Sequence, residues 1–284
     1  MDKNSYFNNT CPMKGRLLFS RVREEAAKPN GRILVFTGAR QTGKTTLSRQ
    51  AFPEYAYLSI EDPVTRADYR RLTSAQWRSL YPKAILDEVQ KEPQLIESIK
   101  AVWDQWAEPR YILLGSSQLL LLDKVRESLA GRCQIIEMFP LTLPELRTQS
   151  LDQPVELSLF QKLLCRESVP TLSPSLNLDP AGASKLAAWG HYCRVGGYPA
   201  LTDPQLSEED QFRWLTGYVQ TYLERDVRDL ANFRDLEPFV RLQQWTALRT
   251  GTTANASAAA LEVGVDVKTV QRYLRYLVLS YQAL

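Results

Sequence analysis

Gly38 and Gly43 stand with four residues between them in GARQTGKTT, and Lys44 and Thr45 follow at once. The spacing G-x-x-x-x-G-K-[ST] is that of a loop that wraps a nucleotide phosphate. Glycine lets the backbone curl so that the N–H groups of Gly38, Ala39, Arg40, Gln41, Thr42, Gly43, Lys44, Thr45 and Thr46 turn toward phosphate oxygens. Lys44 brings a point charge to the β- and γ-phosphates, and Thr45 offers a hydroxyl to Mg²⁺. A helix beginning here aims the positive end of its dipole at the same anion. A glycine-rich turn with a solvated lysine is the alternative. What separates the two is a buried strand before the loop and a helix after it, and the sequence supplies both, with the apolar run ILVFT before the loop.

A phosphate loop needs a second element to hold the cation. Ala84–Glu88 reads AILDE, an apolar strand that delivers two adjacent carboxylates. Asp87 is the expected Mg²⁺ ligand, direct or through water, and Glu88 the general base that polarises an attacking water. Two solvated acids at a strand end are common, but beside a phosphate loop the pair points to ATP hydrolysis by the chain's own residues. The run Tyr111–Leu114 ends in Gly115-Ser116-Ser117. In P-loop ATPases of this class, a polar residue on the strand between the loop strand and the Asp-Glu strand senses the γ-phosphate. Ser116 and Ser117 both qualify, and a serine-rich turn is the equal alternative.

Five short apolar runs provide the strands: Ile33–Thr37, Tyr55–Ile60, Ala84–Leu86, Tyr111–Leu114 and Gln134–Phe139. The stretches TRADYRRLTSAQWRSL and EPQLIESIKAVWDQWAE between them repeat apolar residues at helical spacing. Strands alternating with helices, and apolar throughout, predict a parallel sheet covered on both faces. After PLTLPEL the character changes. The Pro- and Ser-rich SVPTLSPSLNLDPAG reads as a loop in a largely helical region, and Asp210–Leu230 as helix. The expected division is a P-loop core over residues 1–146, a helical lid over 147–235, and a helix-turn-helix unit over 236–284.

That last unit rests on Asn255–Leu277. A small-residue helix carrying Ala259, Ala260 and Leu261 precedes a Gly264-Val265 turn, and Asp266 is placed to cap a second helix. There Val267, Val270, Leu274 and Leu277 fall on one face. Lys268, Thr269, Gln271, Arg272 and Arg275 fall on the others, as a helix reading double-stranded DNA in the major groove requires. A hairpin that packs only on protein is the alternative.

With 284 residues, 44% hydrophobic and 24% charged, the chain has the composition of a globular protein. A net charge of +3 does not by itself argue for nucleic acid. Cys11, Cys133, Cys165 and Cys193 show no paired spacing, which suggests reduced thiols, and the single His191 argues against a histidine-based metal site or triad. No apolar run approaches the ~20 residues that span a bilayer, and the N-terminus lacks a secretory apolar segment. The expectation is a cytoplasmic protein with no membrane partner.

GARQTGKTTL, ILDEVQKEP, LLGSSQLLL, SLAGR, PLTLPEL, GGYPAL and TYLERDVRDL occur in one order along nearly the whole chain. In these the chain resembles a family of bacterial and archaeal AAA+-type predicted ATPases that join a P-loop domain to a winged helix and a C-terminal domain of unknown function. The resemblance implies an α/β fold with an AAA+/RecA-like parallel sheet, a helical lid, ATP binding and no settled cellular role. It also draws attention to Arg132 in SLAGR as an arginine finger. Acting in trans, Arg132 implies a homo-oligomer; acting in cis it lets a monomer work; a helix-capping Gly-Arg is the alternative. Gly196–Pro199 and Arg225 resemble lid elements near the nucleotide. Family members continue past the winged helix, so the resemblance implies that the C-terminal domain and the wing hairpin lie outside this chain. Two functions follow: an ATPase coupled to DNA through the helix-turn-helix, or a nucleotide-gated signalling or defence switch whose helix-turn-helix binds a partner protein.

Overall fold

The computed structural model describes residues 13–115, 125, 127–151, 153–164, 179, 181–222 and 235–283. Its centre is a five-stranded parallel sheet formed by β1 (Ile33–Thr37), β2 (Ala56–Ser59), β3 (Lys83–Asp87), β4 (Arg110–Leu114) and β5 (Gln134–Glu137), in the order β2-β3-β4-β1-β5. Thus β4 lies between the strand before the glycine loop and the strand carrying Asp87, with Ile33 beside Tyr111 on one side and Leu86 beside Leu113 on the other.

Alternation along each strand builds two cores. Ile33, Val35, Ala84, Leu86, Tyr111 and Leu113 face α3 (Pro63–Arg71), α4 (Ser74–Leu80) and α5 (Gln94–Gln105), where Trp77, Ile96 and Ile99 fill the layer. Leu34, Phe36, Ile85, Ile112 and Leu114 face α1 (Leu18–Ala27) and α2 (Lys44–Ala51) through Val22, Leu47 and Ala51. The central strands are apolar throughout because both faces are covered. The two edge strands depart from that expectation: β5 alternates half-buried and exposed residues, and only Leu58 of β2 is buried. The stretch 65–80 divides into two helices because Thr73 and Gln76 form a capping box that starts α4 afresh.

Beyond the sheet come the short helices α6 (Leu143–Leu146) and α7 (Leu159–Leu164), then α8 (Gly182–Val195) and α9 (Glu208–Tyr222). The chain continues in α10 (Glu237–Leu248), α11 (Ala256–Val263) and α12 (Val267–Leu279) around a core of their own, with Phe239, Leu242, Trp245, Val263, Val270, Tyr273 and Leu277 inside. Asn255 caps α11 through its Oδ1, and Asp266 caps α12 by accepting from the Thr269 N–H at 2.9 Å. The buried face of α12 differs from the expected one. Tyr273 replaces Val267, which is exposed, and Leu274 is half-buried; a tyrosine ring at that position reaches Phe239 at 5.5 Å. Leu261 likewise points outward, 88% exposed. Among the described residues no helix is long and apolar enough to cross a membrane.

Candidate functional site

The glycine loop sits at the C-terminal end of β1, an interior strand, where open parallel sheets bind ligands. Gly38 has φ +141°, and a side chain there would meet the Met138 carbonyl oxygen at 2.1 Å, so only glycine lets the loop start against the end of β5. Gly43 has φ +92° and passes directly into the first turn of α2. Gln41 also lies at positive φ, +59°. The loop is internally braced: the Thr42 hydroxyl donates to the Ala39 carbonyl at 3.0 Å. The buried Lys44 ammonium donates to the carbonyls of Gly38 at 2.9 Å and Ala39 at 2.6 Å. Arg40 and Thr45 are half-buried, and Gln41 and Thr46 are exposed.

The phosphate loop and the acidic strand end meet directly. The Thr45 hydroxyl donates to Asp87 Oδ2 at 2.8 Å, across the gap that β4 sets between β1 and β3. The other carboxylate oxygen, Oδ1, accepts from the Glu88 N–H at 3.0 Å. Glu88 itself adopts φ +58°, a left-handed conformation that costs a non-glycine residue on the order of 1–3 kcal/mol and that gathers at functional sites. The Gln90 side chain donates to the Glu88 carboxylate. Among the described residues no group of three or more His, Cys, Asp or Glu forms a metal cluster. A loop that relies on a threonine, one aspartate and the nucleotide's own oxygens needs none.

Three contacts here were not readable from spacing. The Tyr57 hydroxyl, from β2, donates to the same Asp87 Oδ2 at 2.8 Å, and burial together with that carboxylate holds the phenol well above its usual range. Gln90 is the second. The third is Tyr281, just beyond α12, whose hydroxyl donates to Thr37 Oγ1 at 2.9 Å, one residue before the loop. A cue for Gln90 existed in its position two residues after Glu88; Tyr57 and Tyr281 carry no such cue.

Gly196–Pro199 does reach the loop: Pro199 lies 3.9 Å from where a Gly43 side chain would begin, and Leu141 N–H donates to the Gly197 carbonyl at 2.6 Å. Tyr198, Trp214 and Tyr218 form an aromatic cluster beside it, with Trp214 and Tyr218 stacked at 5.3 Å. The Tyr218 hydroxyl donates to the Arg40 carbonyl at 3.5 Å, and its ring packs against the core of α10–α12.

Arg132 is not brought to this site within the chain. It donates to Asp104 at 2.9 Å, lies over the Trp103 ring and precedes β5. Because Gln134 pairs with Leu34, Arg132 sits about six residues below Gly38 along parallel strands, roughly 20 Å away at the strand rise. Within the chain the guanidinium is therefore held near the N-terminal ends of the strands, away from the loop, which leaves the trans alternative for Arg132. Ser116, Ser117 and Arg225 lie outside the described residues. On α12, Lys268, Gln271, Arg272 and Arg275 are exposed. Thr269 is not available in the same way, since its hydroxyl donates to Asp266 Oδ2 at 2.7 Å as part of the cap.

Residues 30–147 match a family model described as an AAA domain, and residues 186–284 match a domain of unknown function, DUF8612. Two curated relatives, uncharacterized proteins of Mycobacterium tuberculosis and Mycobacterium bovis, are each 28% identical over 250 residues, or 85% of this chain. The chain spans about half the length of these relatives, 46%. Among solved structures it is similar to a Walker-type ATPase of Pyrococcus abyssi, with a TM-score of 0.52 at 14% identity over 95% of this chain and 92% of that one. That likeness extends to the fold.

Proposed function

From the match of residues 30–147 to an AAA domain and the likeness of the fold to a Walker-type ATPase, we propose that the chain is an AAA+-type ATPase that hydrolyses ATP with Mg²⁺ and couples the cycle to double-stranded DNA through α11 and α12. The observation that carries the catalytic half is the 2.8 Å contact from Thr45 to Asp87, which joins the phosphate loop to the acidic strand end. A hydroxyl and a carboxylate oxygen at this separation are a hard-oxygen pair suited to Mg²⁺, which Thr45 and Asp87 would hold together with oxygens of the nucleotide. Held by these two residues, the cation would supply neutralisation of phosphate charge.

The chain's own groups do the remaining work. On nucleotide binding Lys44 exchanges the Gly38 and Ala39 carbonyls for phosphate oxygens. The loop N–H groups and the dipole of α2 hold the phosphates in line. Glu88 takes the proton of the attacking water, with Gln90 orienting its carboxylate. An arginine finger from Arg132 would come from a second copy of the chain. Coupling is supported by Tyr281 and Tyr218, which tie the C-terminal helices to the base of the loop and to Arg40. A shift of the loop on hydrolysis then repositions the core, the lid helices and the C-terminal unit against one another.

DNA contact is supported by the exposed Lys268, Gln271, Arg272 and Arg275 on one short helix. Arg272→Ala with Arg275→Ala is expected to weaken duplex binding and to lower the slope of log affinity against log salt by about 2, one counterion per lost phosphate contact. Fluorescence anisotropy at graded salt measures this, and an unchanged slope removes DNA from the account. In the same samples duplex DNA is expected to raise steady-state ATP turnover several-fold.

A second reading is supported by Leu248 and Leu261, which are 84% and 88% exposed on the C-terminal unit. These suit a nucleotide-gated switch that recruits a partner protein. ATP binding with slow turnover indifferent to DNA would favour it.

A further inference from the structure

We propose that Tyr57 is a positioning residue for the cation, fixing the Asp87 carboxylate from the neighbouring strand so that β2 is part of the Mg²⁺ site. The inference rests on the reading of Thr45 and Asp87 as the Mg²⁺–nucleotide site.

The Asp87 carboxylate accepts three hydrogen bonds. Its Oδ1 accepts from the Glu88 N–H at 3.0 Å, and its Oδ2 accepts two hydroxyls, from Thr45 and from Tyr57, both at 2.8 Å. The two hydroxyls have different futures when Mg²⁺ arrives. The Thr45 oxygen would offer a lone pair to the cation while its proton stays directed at Asp87, so that hydroxyl would answer to two partners. Tyr57 stays, since a phenol on β2 has no other role in the phosphate loop.

Strand geometry explains why a tyrosine fits. Ser59 is the register partner of Asp87, and Tyr57 pairs with Ile85 one strand repeat earlier on the same face. A side chain at position 57 must therefore span about 7 Å along the sheet to reach the carboxylate, the length of one two-residue repeat. A phenol does so; a serine or threonine there would not. Ser59 stands nearer, but its hydroxyl accepts from the Glu61 N–H at 3.3 Å. The Tyr57 ring is itself held, with the Arg49 guanidinium 4.8 Å from its centroid. Arg49 lies on α2, the helix that begins at Lys44, so the clamp ties the loop helix, β2 and the acidic strand end together. A carboxylate turns through a broad torsional well unless its oxygens are fixed. Outer partners of metal ligands commonly change metal affinity by about 10- to 100-fold.

The test uses the full chain, ATP and MgCl₂, with calorimetric ATP affinity measured in EDTA and at graded Mg²⁺. Tyr57→Phe keeps the ring and removes only the donor. It is expected to leave metal-free ATP affinity unchanged and to raise the Mg²⁺ concentration giving half the affinity gain by about tenfold. Arg49→Gln, which loosens the ring without touching its hydroxyl, is expected to shift the same midpoint less. A Tyr57→Phe midpoint equal to that of the native chain overturns the proposal while the nucleotide site stands. Equal ATP affinity for the native chain and Lys44→Ala overturns the site reading and the role of Tyr57 with it. Should Tyr57→Phe not fold, Arg49→Gln decides: an unshifted midpoint overturns the proposal and a raised one supports it.

Discussion

Replacing Glu88 by glutamine is expected to lower the rate of ATP cleavage by about 10²- to 10⁴-fold and to leave equilibrium ATP affinity within about twofold, since a general base would lose its basicity but keep its shape. The asymmetry between rate and affinity is the point. In the proposed reaction Lys44, Thr45 and the loop N–H groups would bind the phosphates, whereas Glu88 would act only on water. The left-handed backbone at Glu88, φ +58°, supports the same assignment. Strain of this kind persists where the surrounding structure demands it. Here the Glu88 N–H goes to Asp87 and its carboxylate to Gln90, so one residue is fixed at both ends. Single-turnover cleavage with equilibrium binding on the same sample separates the two quantities. A Glu88→Gln variant that cleaves ATP at the native rate would assign the base elsewhere.

The second large effect concerns stability. Glu145→Ala is expected to destabilise the chain by about 3–5 kcal/mol, because it removes one partner of a buried ion pair. Glu145 is 3% exposed, and its Oε1 lies 3.6 Å from Arg16 Nε. The same oxygen accepts from the Leu17 N–H at 2.8 Å, and Oε2 accepts from the Thr142 N–H at 2.8 Å. Burial already holds the Arg16 guanidinium below its usual range, with the Glu145 charge opposing that shift. Alanine would strand the guanidinium and two backbone donors together. The consequence reaches the loop, since Arg16 also donates to the Phe139 carbonyl and Leu141 anchors Gly197. Denaturant unfolding checks the figure, and a loss below about 1 kcal/mol would mean that water replaces the carboxylate.

How much of this could be read from the chain follows from the range of each interaction. The phosphate loop, β1 and the Asp87-Glu88 pair are local signals: residue types at fixed spacing, flanked by apolar runs. They led to the AAA+-type core, and the order β2-β3-β4-β1-β5 places β4 between the two halves of the site as that class requires. The edge strands were over-read as buried, because an apolar run does not reveal whether a second strand lies beyond it. On α12 a period of 3.6 offered two adjacent faces, and the size of Tyr273 against Phe239 decided between them. The resemblance alone drew attention to Arg132 in SLAGR, and only the register with β1 shows at which end of the strands it lies. Tyr57, Glu145 and Tyr281 act across 30, 128 and 244 residues of sequence, where no periodicity carries information.

The most direct test of the central claim is steady-state ATP turnover by the native chain beside Lys44→Ala, each with Mg²⁺ and with EDTA. The account predicts Mg²⁺-dependent turnover by the native chain, and neither turnover nor ATP binding when Lys44 is alanine. Native-like ATP binding and turnover by Lys44→Ala would contradict it.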